Sequence, residues 1–190
     1  MRIGILGGTF NPIHKGHLRL AGAAKRKLKL DKVIFVPANI PPHKKDLDIL
    51  PAKERYKMAG IAIKNKPSFD ISDYEIKTGG TSYSIRTLEA FKKKFGKKTK
   101  LFFITGSDSL PQLKTWKDIG KFTKLAEFIV AARPGYKVAG APGVKIIRIP
   151  TLNISSTIIR QRIKNGLSAK KLLSKEVYSY IIRKGFYKCT

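Results

Sequence analysis

Met1-Arg-Ile-Gly-Ile-Leu-Gly-Gly-Thr-Phe-Asn-Pro-Ile-His-Lys-Gly-His-Leu-Arg-Leu20 holds a strand, a tight turn and the start of a helix in one segment. Residues 2–6 are short and apolar enough for a buried strand, Gly7-Gly8 break it, and Leu18, Leu20 and Ala21 begin a helical spacing. A Gly pair at a strand end lets a ligand approach the main chain, and the free N–H groups of the following helix start attract phosphate. The two commonest phosphate loops are absent: neither Gly-x-x-x-x-Gly-Lys-Ser/Thr nor Gly-x-Gly-x-x-Gly occurs here. His14-Lys15-Gly16-His17 stands in their place. Two imidazoles three residues apart share one face of a first helical turn, where both rings can donate hydrogen bonds to an anion.

Outward from this turn, apolar runs alternate with helical spacings. A helix over residues 15–28 leads to a buried-type strand at 32–37 that Pro37 ends. The Pro-rich loop 38–45 carries His43 and Lys44 beyond that strand, so all three histidines fall at one sheet edge if the strands are parallel. Residues 51–65 have helical spacing and include Arg55, for which a structural and a phosphate role are both open. Residues 69–76 alternate as a half-exposed strand does. After Gly79-Gly80, Thr81 or Ser82 can cap a helix running to about residue 94, giving a second helix start available to an anion.

The strand at 100–105 runs into Gly106-Ser-Asp108, where Asp108 is either a helix cap or a ligand to a sugar hydroxyl. Trp116, the single tryptophan, is core or a stacking platform for an aromatic ring. Strands at 126–132 and 144–149 follow, and Ser155-Ser156-Thr157 then opens a helix that carries Arg160 on its first turn. The remainder reads as a helical tail with an apolar stripe. This order predicts an α/β fold, a Rossmann-like, doubly wound and mostly parallel sheet with a small C-terminal helical part. One domain covers residues 1–190, with a core to about residue 150 and a helical region beyond it.

The formal charge of +28, from 40 Lys plus Arg against 12 Asp plus Glu, is the compositional outlier. It makes a basic nucleic-acid-binding module the distant alternative. The charge is spread along the chain, and the dense stretch at 92–100 suits a solvated helix end whose lysines complement the helix dipole. The surplus implies weak polyanion adhesion and draws anionic substrates inward, with no specific nucleic-acid partner. No apolar run of membrane-spanning length and no signal peptide are apparent, which predicts a soluble, cytoplasmic protein with no membrane partner. Cys189 reads as inert. The oligomeric state is open, a homo-oligomer included.

Gly-Gly-Thr-Phe-Asn-Pro-Ile-His-x-Gly-His resembles the signature of the His-x-Gly-His nucleotidyltransferase superfamily, in the form typical of bacterial nicotinate-mononucleotide adenylyltransferases. The likeness spans essentially the whole chain. Pro41-Pro-His-Lys44, Thr81-Ser-Tyr-Ser84, Gly106-x-Asp108 with Trp116, Arg133-Pro-Gly135 and Ile154-Ser-Ser-Thr-x-Ile-Arg160 resemble further motifs of that family in order. Ser107 stands where the family more often has Ala, and the positive charge is unusual for it.

The resemblance implies transfer of AMP from ATP to nicotinate mononucleotide, giving nicotinate adenine dinucleotide and pyrophosphate. It implies His17, His14 and Lys44 as catalytic, with Gly8, Thr9, Phe10, Gly106, Asp108, Ile154, Ser155, Ser156 and Arg160 completing the ATP site. The pyridine mononucleotide falls to Asn39, Lys44, Thr81, Ser82, Tyr83, Trp116 and Arg133. No carboxylate cluster suggests a protein-held metal, so Mg2+ is expected to arrive on the ATP phosphates. Nicotinamide mononucleotide as acceptor, phosphopantetheine adenylyl transfer and cytidylyl transfer are the nearer alternatives.

Overall fold

Ile3 and Ile5 turn to one face of the first strand and Leu6 to the other, and all three are buried. A strand covered on both faces belongs to the middle of a parallel sheet flanked by helices. The computed structural model describes residues 1–42, 49–106, 119–132, 144–148 and 154–188. Among them the elements run β1 (Arg2–Gly8), α1 (Lys15–Lys27), β2 (Lys32–Pro37), α2 (Ala52–Ile63), β3 (Phe69–Ile71), α3 (Tyr74–Thr78), α4 (Ser84–Phe95) and β4 (Lys100–Gly106). They continue with α5 (Ile119–Leu125), β5 (Glu127–Ala132), β6 (Val144–Arg148), α6 (Ser156–Lys164) and α7 (Lys175–Lys184).

The six strands are ordered β3-β2-β1-β4-β5-β6 and every pairing is parallel. Phe102 and Ile104 of β4, with Ile129 and Ala131 of β5, join the core beneath α1, α2, α6 and α7. Leu101, Phe103, Phe128 and Val130 join the opposite core beneath α4 and α5. Strict two-residue alternation thus feeds two hydrophobic layers from one sheet. The strand order reverses between β1 and β4, which opens a crevice at their carboxyl ends, beside Gly8 and Gly106.

Three sequence expectations change. The strand expected over 69–76 ends at Ile71, and α3 takes up Tyr74–Thr78. Ser72 donates its N–H to the Phe35 carbonyl while its hydroxyl accepts from Tyr74 N–H, so the chain turns away from β2 there. Neither Thr81 nor Ser82 caps α4: the N-cap is Tyr83, and the Ser82 hydroxyl is engaged by Asn39 N–H at 2.8 Å. Helix α5 is an element beyond those the sequence pattern predicts.

The tail does fold back, burying Val177, Tyr180 and Ile181 of α7 against α2 and the layer below it. The Ser174 hydroxyl caps its start and left-handed Gly185 its end.

Candidate active site

The turn after β1 is built around side chains that lock the main chain. A Cβ at Gly8 would lie 2.9 Å from Phe10 Cε1, so only glycine lets the Phe10 ring close over the strand end. Phe10 itself is buried, at a left-handed φ of 49°. Such a conformation costs a non-glycine residue about 1 kcal/mol or more, and it is held here by the surrounding contacts. The Phe10 and His17 rings meet in a T-shape, with centroids 5.0 Å apart and planes at 85°.

His14 and His17 come together as the sequence spacing predicts, although His14 is the extended N-cap residue of α1 rather than part of its first turn. Their rings stack with centroids 3.7 Å apart. The Nδ1 atom of His17 accepts the His14 backbone N–H at 3.2 Å. That bond needs a lone pair on Nδ1, so a neutral His17 ring carries its proton on Nε2. Gly16 makes room for the pair: a Cβ there would sit 2.9 Å from His14 Nδ1.

The start of α6 is docked on the same turn. Ser155 is the N-cap, its hydroxyl accepting from Ile158 N–H at 3.1 Å, and Ile154 is buried beside Gly16. Ser156 Oγ donates to the Pro12 carbonyl at 2.9 Å, and Arg160 Nη1 donates to the Asn11 carbonyl at 2.9 Å. These two expected phosphate ligands therefore also rivet the two halves of the cradle together.

Arg55 is resolved in favour of structure. It is 1% exposed and gives Nε to the Leu50 carbonyl, Nη1 to Thr9 and Nη2 to Asn39, at 2.7–2.8 Å. One guanidinium thereby ties the loop after β1, the loop after β2 and the approach to α2. Burial pulls its pKa down to about 10, with Tyr187 and Glu75 acting in the opposite sense, so it is charged at neutral pH. Tyr187 adds a strap from the tail, its hydroxyl donating to Asn11 Oδ1 at 2.7 Å.

Next to the β1 turn, past the carboxyl end of β2, Asn39 and the Thr81–Tyr83 segment meet. Asn39 Nδ2 donates to the Gly80 carbonyl at 3.0 Å, Ser82 N–H donates to Ile40 at 2.9 Å, and Ile40 bridges Thr81. Beneath them lies Glu75, on a helix where the alternation of residues 69–76 predicts a strand. Its carboxylate accepts Thr87 Oγ1 at 2.6 Å and the Ser82 hydroxyl. Burial raises its pKa, while the bonds from Thr87 and Ser82 and the charge of Arg55 oppose the rise. Glu75, Gly79, Thr81, Ser82, Tyr83 and Arg86 line a small surface pocket. The scarcity of acids is the one signal in the sequence that could mark Glu75 out.

Gly106 ends β4 in register with Ala131 and beside the cradle strand. His43, Lys44, Ser107, Asp108, Trp116, Arg133 and Cys189 lie outside the described residues. Among the described residues, no three His, Cys, Asp or Glu side chains group to hold a metal, and no helix is long and apolar enough to cross a membrane.

The chain that carries this crevice is similar to known proteins over nearly its whole length. The cytidylyltransferase-like family profile matches residues 5–162. A probable nicotinate-nucleotide adenylyltransferase of Moorella thermoacetica is 42% identical, over 98% of this chain and 92% of its own. The chain belongs to the nicotinate-nucleotide adenylyltransferases of that family. A second member, from Thermus thermophilus, is 41% identical over 99% of this chain and the whole of its own. The fold is also that of Plasmodium falciparum nicotinic acid mononucleotide adenylyltransferase complexed with NaAD, with a TM-score of 0.82 at 22% identity, over 98% of this chain and 97% of that one. Members of this family are nucleotidyltransferases, and this chain is an enzyme of that class with ATP as substrate.

Proposed function

We propose that the crevice joins ATP and nicotinate mononucleotide through the groups that line it. The 5′-phosphate oxygen of nicotinate mononucleotide attacks the α-phosphorus of ATP. A new P–O bond forms, the α–β bridging P–O bond breaks, and its electron pair leaves with pyrophosphate. The observation that carries the reading is the His14 N–H to His17 Nδ1 bond, which puts the proton of the neutral His17 ring on Nε2 and makes that edge its donor face. A donor fixed in advance at the helix start stabilises charge developing on the α-phosphate without reorganising during the reaction.

His14 joins His17 on the ATP phosphates, and Gly8, Thr9 and Phe10 shape the main chain around them. Arg160 has guanidinium donors beyond the one given to Asn11, and with Ile154, Ser155 and Ser156 it holds the departing β and γ phosphates. Lys44 neutralises the same charge. Gly106 and Asp108 take the adenosine side. Mg2+ enters as part of the ATP substrate, held by phosphates. Asn39, Thr81, Ser82 and Tyr83, with Lys44, Trp116 and Arg133, receive the pyridine nucleotide. Amide donors at the start of α4 suit a carboxylate, whereas a carboxamide also requires an acceptor.

An acceptor panel tests this. With ATP constant, pyrophosphate release is measured with nicotinate mononucleotide, nicotinamide mononucleotide and phosphopantetheine. The highest kcat/KM is expected with nicotinate mononucleotide. Equal or better values with the amide overturn the acid preference, and release with phosphopantetheine alone overturns the assignment.

A further inference from the structure

In a parallel sheet every strand begins at one edge and every crossover helix ends there, so the side opposite the active site collects helix C-termini. In this chain that edge is densely cationic. The last turn of α1 holds Lys25, Arg26 and Lys27, with exposed Lys29 just beyond it. The last turn of α4 holds Lys92, Lys93 and Lys94, and Lys97, Lys98 and Lys100 follow before or at the start of β4.

Contacts join these clusters across the edge. Lys32 Nζ lies 5.4 Å from the centre of the Phe95 ring. Lys100 N–H donates to the Met1 carbonyl at 2.9 Å, and the Arg2 guanidinium donates to the Leu28 carbonyl at 2.9 and 3.0 Å. Lys32, Arg2 and Lys100 open three adjacent strands, a row about 10 Å wide at the usual strand spacing.

Opposing charge is scarce. Among the described residues the acids at this edge are Asp31, Asp70 and Glu127, with exposed Glu89 one turn before Lys92 and Lys93 on α4. Asp31 is bonded to Arg2 N–H, and Asp70 pairs with Lys32 at 3.4 Å. Complementing helix dipoles accounts for the last-turn cations but not for Lys29, Lys97, Lys98 and Lys100, which lie past the helix ends.

We propose that this basic edge is a docking surface for a nucleic-acid phosphate backbone, bound without sequence preference and leaving the catalytic edge open. Lysines dominate it, and an ammonium meets a phosphate as a point charge rather than in the bidentate fork that reads a base. An anionic bilayer is the poorer partner, because a membrane-lying face needs an apolar stripe to insert. Of the large exposed apolar residues among those described, Met1 is at this edge, whereas Ile40 and Ile158 flank the active site, Leu167 lies in the connection between α6 and α7, and Ile182 is on α7.

Fluorescence anisotropy of an oligouridine of about 20 nucleotides with the full chain tests the proposal. The Lys93→Glu/Lys94→Glu/Lys97→Glu/Lys98→Glu variant is compared with a control carrying the same reversals at exposed Lys53, Lys170, Lys175 and Lys184. The edge variant is expected to bind about tenfold or more weakly. Its log–log salt slope should be shallower by about 0.7 for each phosphate that the protein no longer neutralises.

The control should bind almost as the parent does, and turnover at saturating substrates should be unchanged in both. Should reversal disturb folding, seen as lost turnover, Gln at the same edge positions is expected to give the same ranking. Equal weakening in edge and control variants overturns the proposal, since net charge alone would then be responsible. Displacement of the oligouridine by saturating ATP, or tighter binding to vesicles of anionic phospholipid, overturns it as well.

Discussion

The starts of α1 and α4 are built on different principles. At the start of α1 the main chain is gripped from outside: Arg55, Ser156 and Arg160 all donate to carbonyls of Thr9, Asn11 or Pro12. At the start of α4 no side chain caps the helix, and the loop is held from beneath by Asn39, Ser82, Glu75 and Thr87 bonding to one another. The first site is buried and cross-strapped, as suits a group that must stabilise fleeting charge. The second is half-exposed and polar, as suits a pocket that selects a substrate.

The sharpest way to break the contrast is at the start of α1, the proposed catalytic pole. His17→Ala should lower kcat by about 10²–10³-fold, the cost of losing one fixed donor to a charged transition state, while circular dichroism stays native. Near-normal turnover would remove His17 from its assigned role.

Arg55→Met should act on both sides at once. Three part-buried carbonyls lose a charged donor and a cavity opens where the buried guanidinium was, so a loss of about 3 kcal/mol in denaturant-monitored stability is expected. A loss confined to activity would mean that Arg55 touches substrate instead.

Glu75→Gln isolates the second site. We expect KM for nicotinate mononucleotide to rise about tenfold with KM for ATP and kcat nearly unchanged, since weakened uniform binding appears in KM. It also carries a pH signature. Burial raises the folded-state pKa, so the folded chain holds this proton more tightly than the unfolded one. The resulting stability is fully present below the ordinary carboxylate range and is lost as pH rises through the folded pKa. The Gln variant should flatten that part of the stability profile, and an unchanged slope would assign it to other carboxylates.

Tyr187→Phe is the mildest test. Removing one hydrogen bond to Asn11 should cost about 1 kcal/mol and affect the ATP side alone.

The same contrast explains what can be read from the chain. Residues 2–6, 32–37 and 100–105 are legible as strands because a sheet covered on both faces demands unbroken apolar runs. The turn after β1 is legible because close approach of main chain to ring requires glycine at positions 8 and 16, and because the cap and the third helical residue must be three apart. Residues 69–76 mislead because Phe-Asp-Ile-Ser-Asp-Tyr-Glu-Ile alternates like a strand, yet the pairing edge offered by β2 ends at Phe35.

The roles of Arg55, Glu75 and Tyr187 leave no periodic trace. Their partners Thr9, Thr87 and Asn11 are 46, 12 and 176 residues away and are met through carbonyls, a hydroxyl and an amide. Spacing rules describe neighbours on one element, and these are meetings between elements. The site roles drawn from the family resemblance, those of His14 and His17 as much as those of Lys44, Asp108, Trp116 and Arg133, are proposals.

Arg55 also shapes how this enzyme can change over generations. Its partners are main-chain oxygens, which every amino acid supplies, so Leu50 can be exchanged without loosening this junction. The burden of inheritance falls instead on a single codon. Positions in the surrounding loops whose side chains make no bond or close contact of their own can drift so long as that one arginine stays, and variants that retune acceptor preference are best sought there with position 55 held constant.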